Sequence, residues 1–273
     1  MRITVFLLTR NRPAGLIAAV RSLDTLSTGQ NPISYIVRYD ADDQASLPAF
    51  DILRGSGVDI AFVPGDRPAT HGEAWNQALR AAGDFDAGCV ISDDVIPLCP
   101  RWDEGVRIFV GERGYHAFAW KDLNYPNLVT HPIFSRAWAE AAGVIFPEFF
   151  PFWFSDTWMA QVYELALGQP MPIAGEMMLG GKAGGRTGNL RDFRFWVDFW
   201  IATRVLRLEE AETIRARLGW AKVDVAPILA KFARLDEQWD VAAIERVRGD
   251  PSPPNARYLL AKERAERWLR ARS

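Results

Sequence analysis

The chain has 273 residues, a hydrophobic fraction of 49% and a formal net charge of −2. These totals exclude a disordered chain and give no sign of a surface for polyanions, so we expect no nucleic-acid partner. The length allows a large core and lies near the size at which cores begin to split. The simplest expectation is one large domain with appendages.

The remaining composition indicates a cytoplasmic protein. The two cysteines, Cys89 and Cys99, lack the Cys/His spacing of a zinc site and are expected to be reduced thiols. No stretch reaches the roughly 18 to 20 apolar residues of a membrane span. The chain begins with a predicted strand, so we expect no signal peptide.

The first element is a continuous apolar run over residues 3–8, typical of a strand covered on both faces. A polar loop, Thr-Arg-Asn-Arg-Pro, follows at residues 9–13. Apolar residues from Leu16 to Leu23 then fall at helical spacing, which predicts a helix packed on the sheet. Arg10 and Arg12 could pair with phosphate oxygens, although a solvated turn is the alternative.

Two further strands are predicted over residues 35–39 and 59–63, with a helix-like piece over 51–57 between them. The first of these strands ends in an acidic run that begins with Asp40. Residues 72–82 then predict a helix that stops at Gly83.

The next apolar run, residues 88–97, contains the adjacent carboxylates Asp93 and Asp94. Taken alone, this pair fits an ordinary turn better than a site, because Asp is common in turns. Strands alternating with helices, however, indicate a mostly parallel sheet, whose carboxyl ends share one edge. With Arg10, Arg12 and Asp40 at that edge, the sequence predicts a cleft for a nucleotide diphosphate bridged by a divalent metal.

The segment order TRNRP, YDADD, GEAWNQALRAAGD and ISDDVIP resembles the nucleotide-binding half of GT-A fold glycosyltransferases. The resemblance is in particular to the large inverting group that includes spore-coat and cell-wall polysaccharide enzymes, and it covers roughly residues 1–165. It implies an α/β fold of the GT-A, Rossmann-like type, with a mostly parallel sheet flanked by helices. It also implies a hexosyltransferase-like enzyme that uses Mn²⁺ or Mg²⁺.

The resemblance assigns roles to individual residues. The strand-one loop and the acid after strand two would hold the base and ribose of a nucleotide sugar. Ser92-Asp93-Asp94 stands at the Asp-x-Asp signature, so Asp93 would face the ribose or sugar and Asp94 would bind the metal. Trp75 replaces a basic residue found in many relatives, and His71 is a candidate substitute. The implied donor-site residues are Thr9, Arg10, Asn11, Arg12, Asp40, Asn76 and Asp93.

The segment from Gly143 to Trp158 is similar to the acceptor side of the same group, which implies that Asp156 is the general base. A carboxylate there would take the proton of the acceptor hydroxyl, while a metal neutralises the leaving diphosphate. The preceding residue is Ser155, where relatives carry Glu. Seven aromatic residues in this segment could stack on sugars or raise the pKa of Asp156. The alternatives are a helix N-cap at Asp156 and a core wedge for the aromatics.

The rest of the chain has few motifs. The glycine-rich stretch 180–188 is not a P-loop; its Lys182 and Arg186 could neutralise diphosphate in a mobile loop, or the stretch could be a surface linker. Residues 255–273 carry six Lys/Arg and two Glu, and we favour ordinary helix packing over contact with a membrane. We therefore expect a catalytic domain over residues 1–189, with a donor half (1–100) and an acceptor half (101–189), and a helical extension over 190–273.

The sequence favours metal-dependent transfer of a sugar from a nucleotide-diphosphate sugar to the hydroxyl of a saccharide or other acceptor, with inversion. A sugar nucleotidyltransferase is one alternative, but its strand-one loop would ordinarily be rich in glycine, and residues 9–13 contain none. A non-catalytic module that binds carbohydrate or a partner, on a decayed transferase fold, is the other. It is suggested by Trp75, Ser92 and Ser155 at motif positions.

Overall fold

The computed structural model describes residues 1–151, 153–181, 191–248 and 254–272. Within them, one mixed sheet of eight strands has the order β3-β2-β1-β4-β7-β6-β8-β5. The strands are β1 (Ile3–Thr9), β2 (Ile33–Asp40), β3 (Asp59–Gly65), β4 (Ala87–Ser92), β5 (Val95–Pro97), β6 (Ala117–Asp122), β7 (Thr130–Ser135) and β8 (Ile173–Gly181).

Helices cover both faces of this sheet. A 3₁₀ turn at Gln44–Ser46 precedes α2, and a π-helical turn at Arg107–Glu112 continues α4. The α-helices are α1 (Pro13–Leu26), α2 (Leu47–Arg54), α3 (His71–Ala81), α4 (Trp102–Val106), α5 (Arg136–Ala142), α6 (Ser155–Leu167), α7 (Phe193–Ala202), α8 (Arg204–Arg217), α9 (Ala226–Asp236), α10 (Val241–Arg248) and α11 (Ala256–Arg270).

The first four strands of the sheet order, β3, β2, β1 and β4, are all parallel. In their register Thr9 lies beside Tyr39, and Leu8 lies beside Ser92. The carboxyl ends of β1, β2 and β4 are therefore level, and the polar residues that follow them meet at one edge. The prediction of a mostly parallel α/β sheet is confirmed, with antiparallel pairs added at β4–β7, β7–β6 and β8–β5.

Close packing explains the glycine inside β4. Phe6 of β1 stacks on Phe134 of β7 with ring centroids 6.0 Å apart. A Cβ at Gly88, between them in the sheet, would lie 2.5 Å from the Phe134 ring. Only glycine allows the two rings to meet across β4, since real Cβ atoms do not approach other atoms this closely.

The core has one layer on each face of the sheet. Helices α1 and α2 and the α4 region cover one face, where Leu16, Val20 and Leu23 of α1 are fully buried. The other layer is rich in aromatic residues from α3, α5 and α6 and from the helices beyond residue 190. Phe150, for example, contacts both Trp196 and Trp200, with centroids 6.0 Å from each. The helical extension therefore shares a core with the first 189 residues.

Among the described residues, no helix has both the length and the apolar character needed to cross a membrane.

Candidate functional site

A cavity of about 360 Å³ opens at the carboxyl ends of β1, β2 and β4. Its lining combines strand-end residues with the loops that follow them. Most of the donor-site residues predicted from the sequence lie here, together with the predicted metal ligand Asp94: Thr9, Arg10, Arg12, Asp40 and Asp93. The parallel register brings these residues together from positions up to 85 apart in the chain.

Asp40 is the centre of a buried ion-pair cluster. It is only 4% exposed, and its carboxylate contacts three guanidinium groups: Arg38 on the same strand, Arg10 at 2.8 Å and Arg67 at 3.3 Å. Arg10 also binds Asp42, and this hydrogen bond raises the pKa of Arg10 further despite partial desolvation. Desolvation and the neighbouring Arg10 lower the pKa of Arg67, against the attraction of Asp40. The cluster fixes the loops after β1, β2 and β3 at one wall of the cavity.

The adjacent carboxylates have different surroundings. Asp93 is 6% exposed and accepts hydrogen bonds from Thr9 Oγ1 at 2.8 Å and Arg12 Nη1 at 3.2 Å. Burial raises its pKa, although these two partners oppose the rise. The Asp94 side chain is 35% exposed and accepts from Arg12 at 3.0 Å. Asp93 is thus anchored in the protein, while Asp94 remains available to a ligand.

Asp93 and Asp94 also form the turn that joins β4 to β5. The sequence offered a turn and a site as alternative interpretations of Asp93 and Asp94. In the structure the two residues form a turn and also line the cavity. A short connection to β5 holds both carboxylates at the cavity, because β5 pairs with β8 directly after them.

A metal ion fits this site only if a bound substrate or water supplies some of its ligands. Among the described residues, no group of three or more His, Cys, Asp or Glu side chains could hold a metal. Mg²⁺ and similar hard cations are often bound through one or two carboxylates, with substrate phosphates and waters as the other ligands. The partly exposed Asp94 carboxylate meets that requirement.

His131 lies behind the acidic turn and was not predicted as a site residue. Its Nε2 is 3.3 Å from Ser92 Oγ, and its Nδ1 is 3.8 Å from Asp122 Oδ2. The backbone of His131 has a φ of 48°, in the left-handed region, next to a register shift between β6 and β7. Burial lowers the pKa of His131 despite the nearby carboxylates of Asp122 and Asp94, which favours a neutral imidazole. A lone histidine was the only sequence signal.

Two predicted donor-site residues have structural roles and do not line the cavity. Asn11 has an exposed side chain, and its backbone N–H donates to Asp43 Oδ2 at 2.9 Å. Asn76 is 1% exposed, and its amide donates to Phe146 O and Glu148 Oε1, both at 2.9 Å. Asn76 therefore fixes the segment that follows α5, and its amide has no group left to reach the donor.

Asp156 lies in the first turn of α6, half-buried and outside the cavity lining. Its carboxylate accepts a hydrogen bond from the Thr157 N–H at 2.7 Å. The N-cap residue is Phe154, so Asp156 is not the helix N-cap that the sequence offered as the alternative. Burial raises the pKa of Asp156, against the hydrogen bonds from Thr157.

The aromatic residues of this segment mainly form core. Phe146, Phe150, Phe154 and Trp158 are buried, and Phe154 stacks on Trp200 with centroids 4.9 Å apart. This is the arrangement expected for a core wedge. Phe152 lies outside the described residues, as do Lys182 and Arg186 of the glycine-rich stretch.

Sequence reasoning missed several cavity residues, among them Arg67, which follows β3. Arg38 had a signal: it is a charge inside an apolar strand, two residues before Asp40 and hence on the same face. The cavity also contains Asn255, Arg257 and Tyr258 from the start of α11. No local pattern places that helix at the cavity, since its residues and those of β1 stand at opposite ends of the chain.

The fold is that of the GT-A glycosyltransferases. The mannosyltransferase PcManGT from Pyrobaculum calidifontis, solved with GDP-Man and Mn²⁺, has a TM-score of 0.57 and 14% identity over 98% of this chain and 87% of its own. TarS (residues 1–349) from S. aureus, solved with UDP, has a TM-score of 0.62 and 14% identity over 92% and 76%.

A third similar structure is glucosyl-3-phosphoglycerate synthase from Mycobacterium tuberculosis, solved with Mn²⁺, UDP and glucosyl-3-phosphoglycerate. Its TM-score is 0.51 at 16% identity, over 81% of each chain. No protein-family profile matches the sequence, and a search of curated proteins finds no match. The likeness to these structures establishes the fold.

Proposed function

We propose that this protein transfers a sugar from a nucleotide-diphosphate sugar to an acceptor hydroxyl, with Mn²⁺ or Mg²⁺ as cofactor. The observation that carries the proposal is the cavity of carboxylates and guanidiniums at the ends of β1, β2 and β4 in a GT-A fold. The three similar structures were solved with nucleotides or nucleotide sugars and, in two cases, Mn²⁺.

Different residues of the cavity are assigned to different parts of the donor and to the metal. The Arg10–Asp40–Arg38 cluster holds a rigid polar wall suited to the base and ribose. Thr9 and Arg12 orient Asp93 toward the ribose or sugar. Asp94 would hold the metal, which would neutralise the charge that develops on the leaving diphosphate. Arg12 binds both carboxylates and so links their positions.

We assign the general base to Asp156 and expect inversion at the anomeric carbon. In a single displacement, one carboxylate on the acceptor side takes the hydroxyl proton as the oxygen attacks. The raised pKa of Asp156 suits proton uptake nearer to neutral pH than an ordinary carboxylate allows. Pro151, five residues earlier in the same segment, lines the cavity, and this supports an acceptor site next to the donor site.

The test is a thermal-shift screen of nucleoside diphosphates with and without Mn²⁺, because a ligand that binds only the folded state raises its stability. We expect one nucleotide to stabilise the protein in a metal-dependent way and its sugar conjugate to be hydrolysed slowly. Asp94→Asn should lose the metal-dependent part, whereas Asp59→Asn, at an exposed position away from the cavity, should keep it. If no nucleotide shifts the melting temperature, the proposal is wrong.

The base assignment has a separate readout. Asp156→Asn should keep metal-dependent nucleotide binding and lose about 10²-fold or more in donor turnover, in the range of general-base catalysis. NMR of the product should give the anomeric configuration opposite to that of the donor. Undiminished turnover in the variant, or retained configuration, would reject this role.

A further inference from the structure

The C-terminal helix α11 forms part of the cavity wall. Its N-cap Asn255 accepts a hydrogen bond from the Tyr258 N–H at 2.9 Å, and Asn255, Arg257 and Tyr258 all line the cavity. The Tyr258 hydroxyl accepts from Trp196 Nε1 and donates to Asp192 Oδ2, each at 3.0 Å. The first turn of α11 is therefore held in place by α7.

Further contacts join α11 both to α3 and to the segment before Asp156. Arg264, two turns along α11, forms an ion pair with Glu73 of α3, and Glu73 also accepts from the N–H of Ala69, a cavity residue. The Tyr258 ring packs on Trp196 at 6.1 Å, and Trp196 packs on Phe150 at 6.0 Å. A continuous set of contacts thus joins α11 to the segment that precedes Asp156.

Arg257 differs from the other cationic groups of the cavity. Arg10, Arg12, Arg38 and Arg67 each lie within ion-pair distance of a cavity carboxylate. For Arg257, no carboxylate of the described residues lies within that distance. Its side chain is half-buried and lines the cavity, so among the described residues its guanidinium is the arginine of this cavity that pairs with no carboxylate.

We propose that Arg257 binds an anionic group of the acceptor, a phosphate or a carboxylate, and that the acceptor is therefore an acidic molecule. The inference rests on the proposed sugar transfer. A guanidinium binds either group through two parallel hydrogen bonds, which lysine cannot reproduce. Asp40 and Asp93 pair with Arg10, Arg38 and Arg12, and neither lies within ion-pair distance of Arg257.

The diphosphate of the donor is the other anionic group that a guanidinium at this position would bind. The experiment distinguishes it from an anionic group of the acceptor. The full chain is first saturated with its nucleoside diphosphate and Mg²⁺. Glycerol 3-phosphate, glycerate and inorganic phosphate are then titrated in a thermal-shift assay. Glycerol, which lacks an anionic group, is the control compound. Arg257→Ala, Arg257→Lys and Arg257→Glu are compared with Arg267→Ala, whose side chain on the same helix is 59% exposed and pairs with Glu263.

We expect at least one of the three anions, and not glycerol, to stabilise the wild-type complex further. Arg257→Ala and Arg257→Lys should weaken that anion about tenfold or more, Arg257→Glu should abolish its effect, and Arg267→Ala should leave it unchanged. Nucleotide affinity should stay within about twofold in Arg257→Ala, because the proposed contact is with the acceptor.

Three outcomes would overturn the proposal. One is a wild-type complex that responds to none of the anions, and another is an anion response that survives in Arg257→Ala. The third is a loss of nucleotide affinity in Arg257→Ala, which would assign Arg257 to the donor diphosphate and leave the proposed function standing. Failure of the proposed function itself has a different signature, since no nucleotide would then bind in the first step.

Discussion

At the scale of single residues, Asp93 and Asp94 are adjacent in sequence but unequal in their surroundings. Asp94→Asn should fold with near-normal stability and lose metal-dependent nucleotide binding, because its carboxylate is partly exposed and faces the ligand. Asp93→Asn should lose about 1–3 kcal/mol of unfolding free energy, because an amide cannot satisfy both Thr9 and Arg12 in a buried position.

Denaturant unfolding and nucleotide titrations with and without Mn²⁺ measure the two effects separately. Equal and mild losses in both variants would mean that the pair is only a turn. A stability loss confined to Asp94→Asn would reverse the two roles.

Glu210 of α8 gives a prediction about pH. It accepts a hydrogen bond from Trp158 Nε1 at 2.7 Å, and burial raises its pKa to about 7 although that hydrogen bond opposes the rise. Between about pH 4.5 and pH 7 the unfolded chain loses a proton that the folded protein retains, so this group's contribution to stability falls as pH rises.

Glu210→Gln cannot ionise and keeps an oxygen for Trp158. Relative to wild type, it should therefore gain roughly 1–3 kcal/mol of unfolding free energy between pH 4 and pH 8. Urea unfolding at both pH values measures the change. Glu209→Gln, the exposed neighbour, is the control and should show no such gain. The same difference from wild type at both pH values would contradict the prediction.

At the scale of elements, the packing of α1 against the acidic turn connects helix position to the site. A Cβ at Gly15, inside α1, would lie 2.4 Å from the carbonyl oxygen of Asp93. Gly15→Ala should favour the helix intrinsically, so any loss comes from the clash. We expect a loss of about 1–3 kcal/mol in stability and weaker metal-dependent nucleotide binding, since α1 or the turn must move.

Gly83→Ala is the matched control, because a Cβ at Gly83 has no atom within 4 Å among the described residues. Calorimetric titration of the nucleotide with Mn²⁺ would show the difference. If Gly15→Ala binds as wild type does, the turn can adjust without cost to the site.

At the scale of the whole molecule, the shared aromatic core connects the two predicted regions. Trp158 bonds Glu210 across α6 and α8, Arg217 donates to Ala141 O at 2.8 Å, and Lys231 pairs with Glu164 at 2.8 Å. A fragment of residues 1–190 should therefore expose the aromatic layer, bind a hydrophobic dye and unfold without a cooperative transition.

A fragment of residues 1–254, which lacks only α11, should unfold cooperatively at a lower temperature than the full chain. Calorimetry of the three proteins is the measurement. A cooperative transition in the 1–190 fragment would instead make residue 190 a domain boundary.

Local patterns predicted the parallel half of the fold well. Strands β1, β2 and β3 and helix α3 appear within a few residues of their expected positions, because apolar runs and glycine or polar stops define them locally. Strands β5 and β8 were missed. Strand β5 has only three residues. Strand β8 contains glycines, which are unusual in strands; at Gly180 the neighbouring Leu98 side chain leaves no room for a Cβ.

The sequence by itself determined the α/β class and the polar residues at the ends of β1, β2 and β4, because side-chain period and strand ends are local properties. Only the tertiary structure decided which of these residues face the cavity. In the folded protein Asp93 is buried and Asp94 is accessible, and Asn76 hydrogen-bonds to the segment after α5. Arg257, near the C-terminal end of the chain, lines the same cavity. Burial and long-range pairing depend on how whole elements pack, and no residue's neighbours in sequence contain that information.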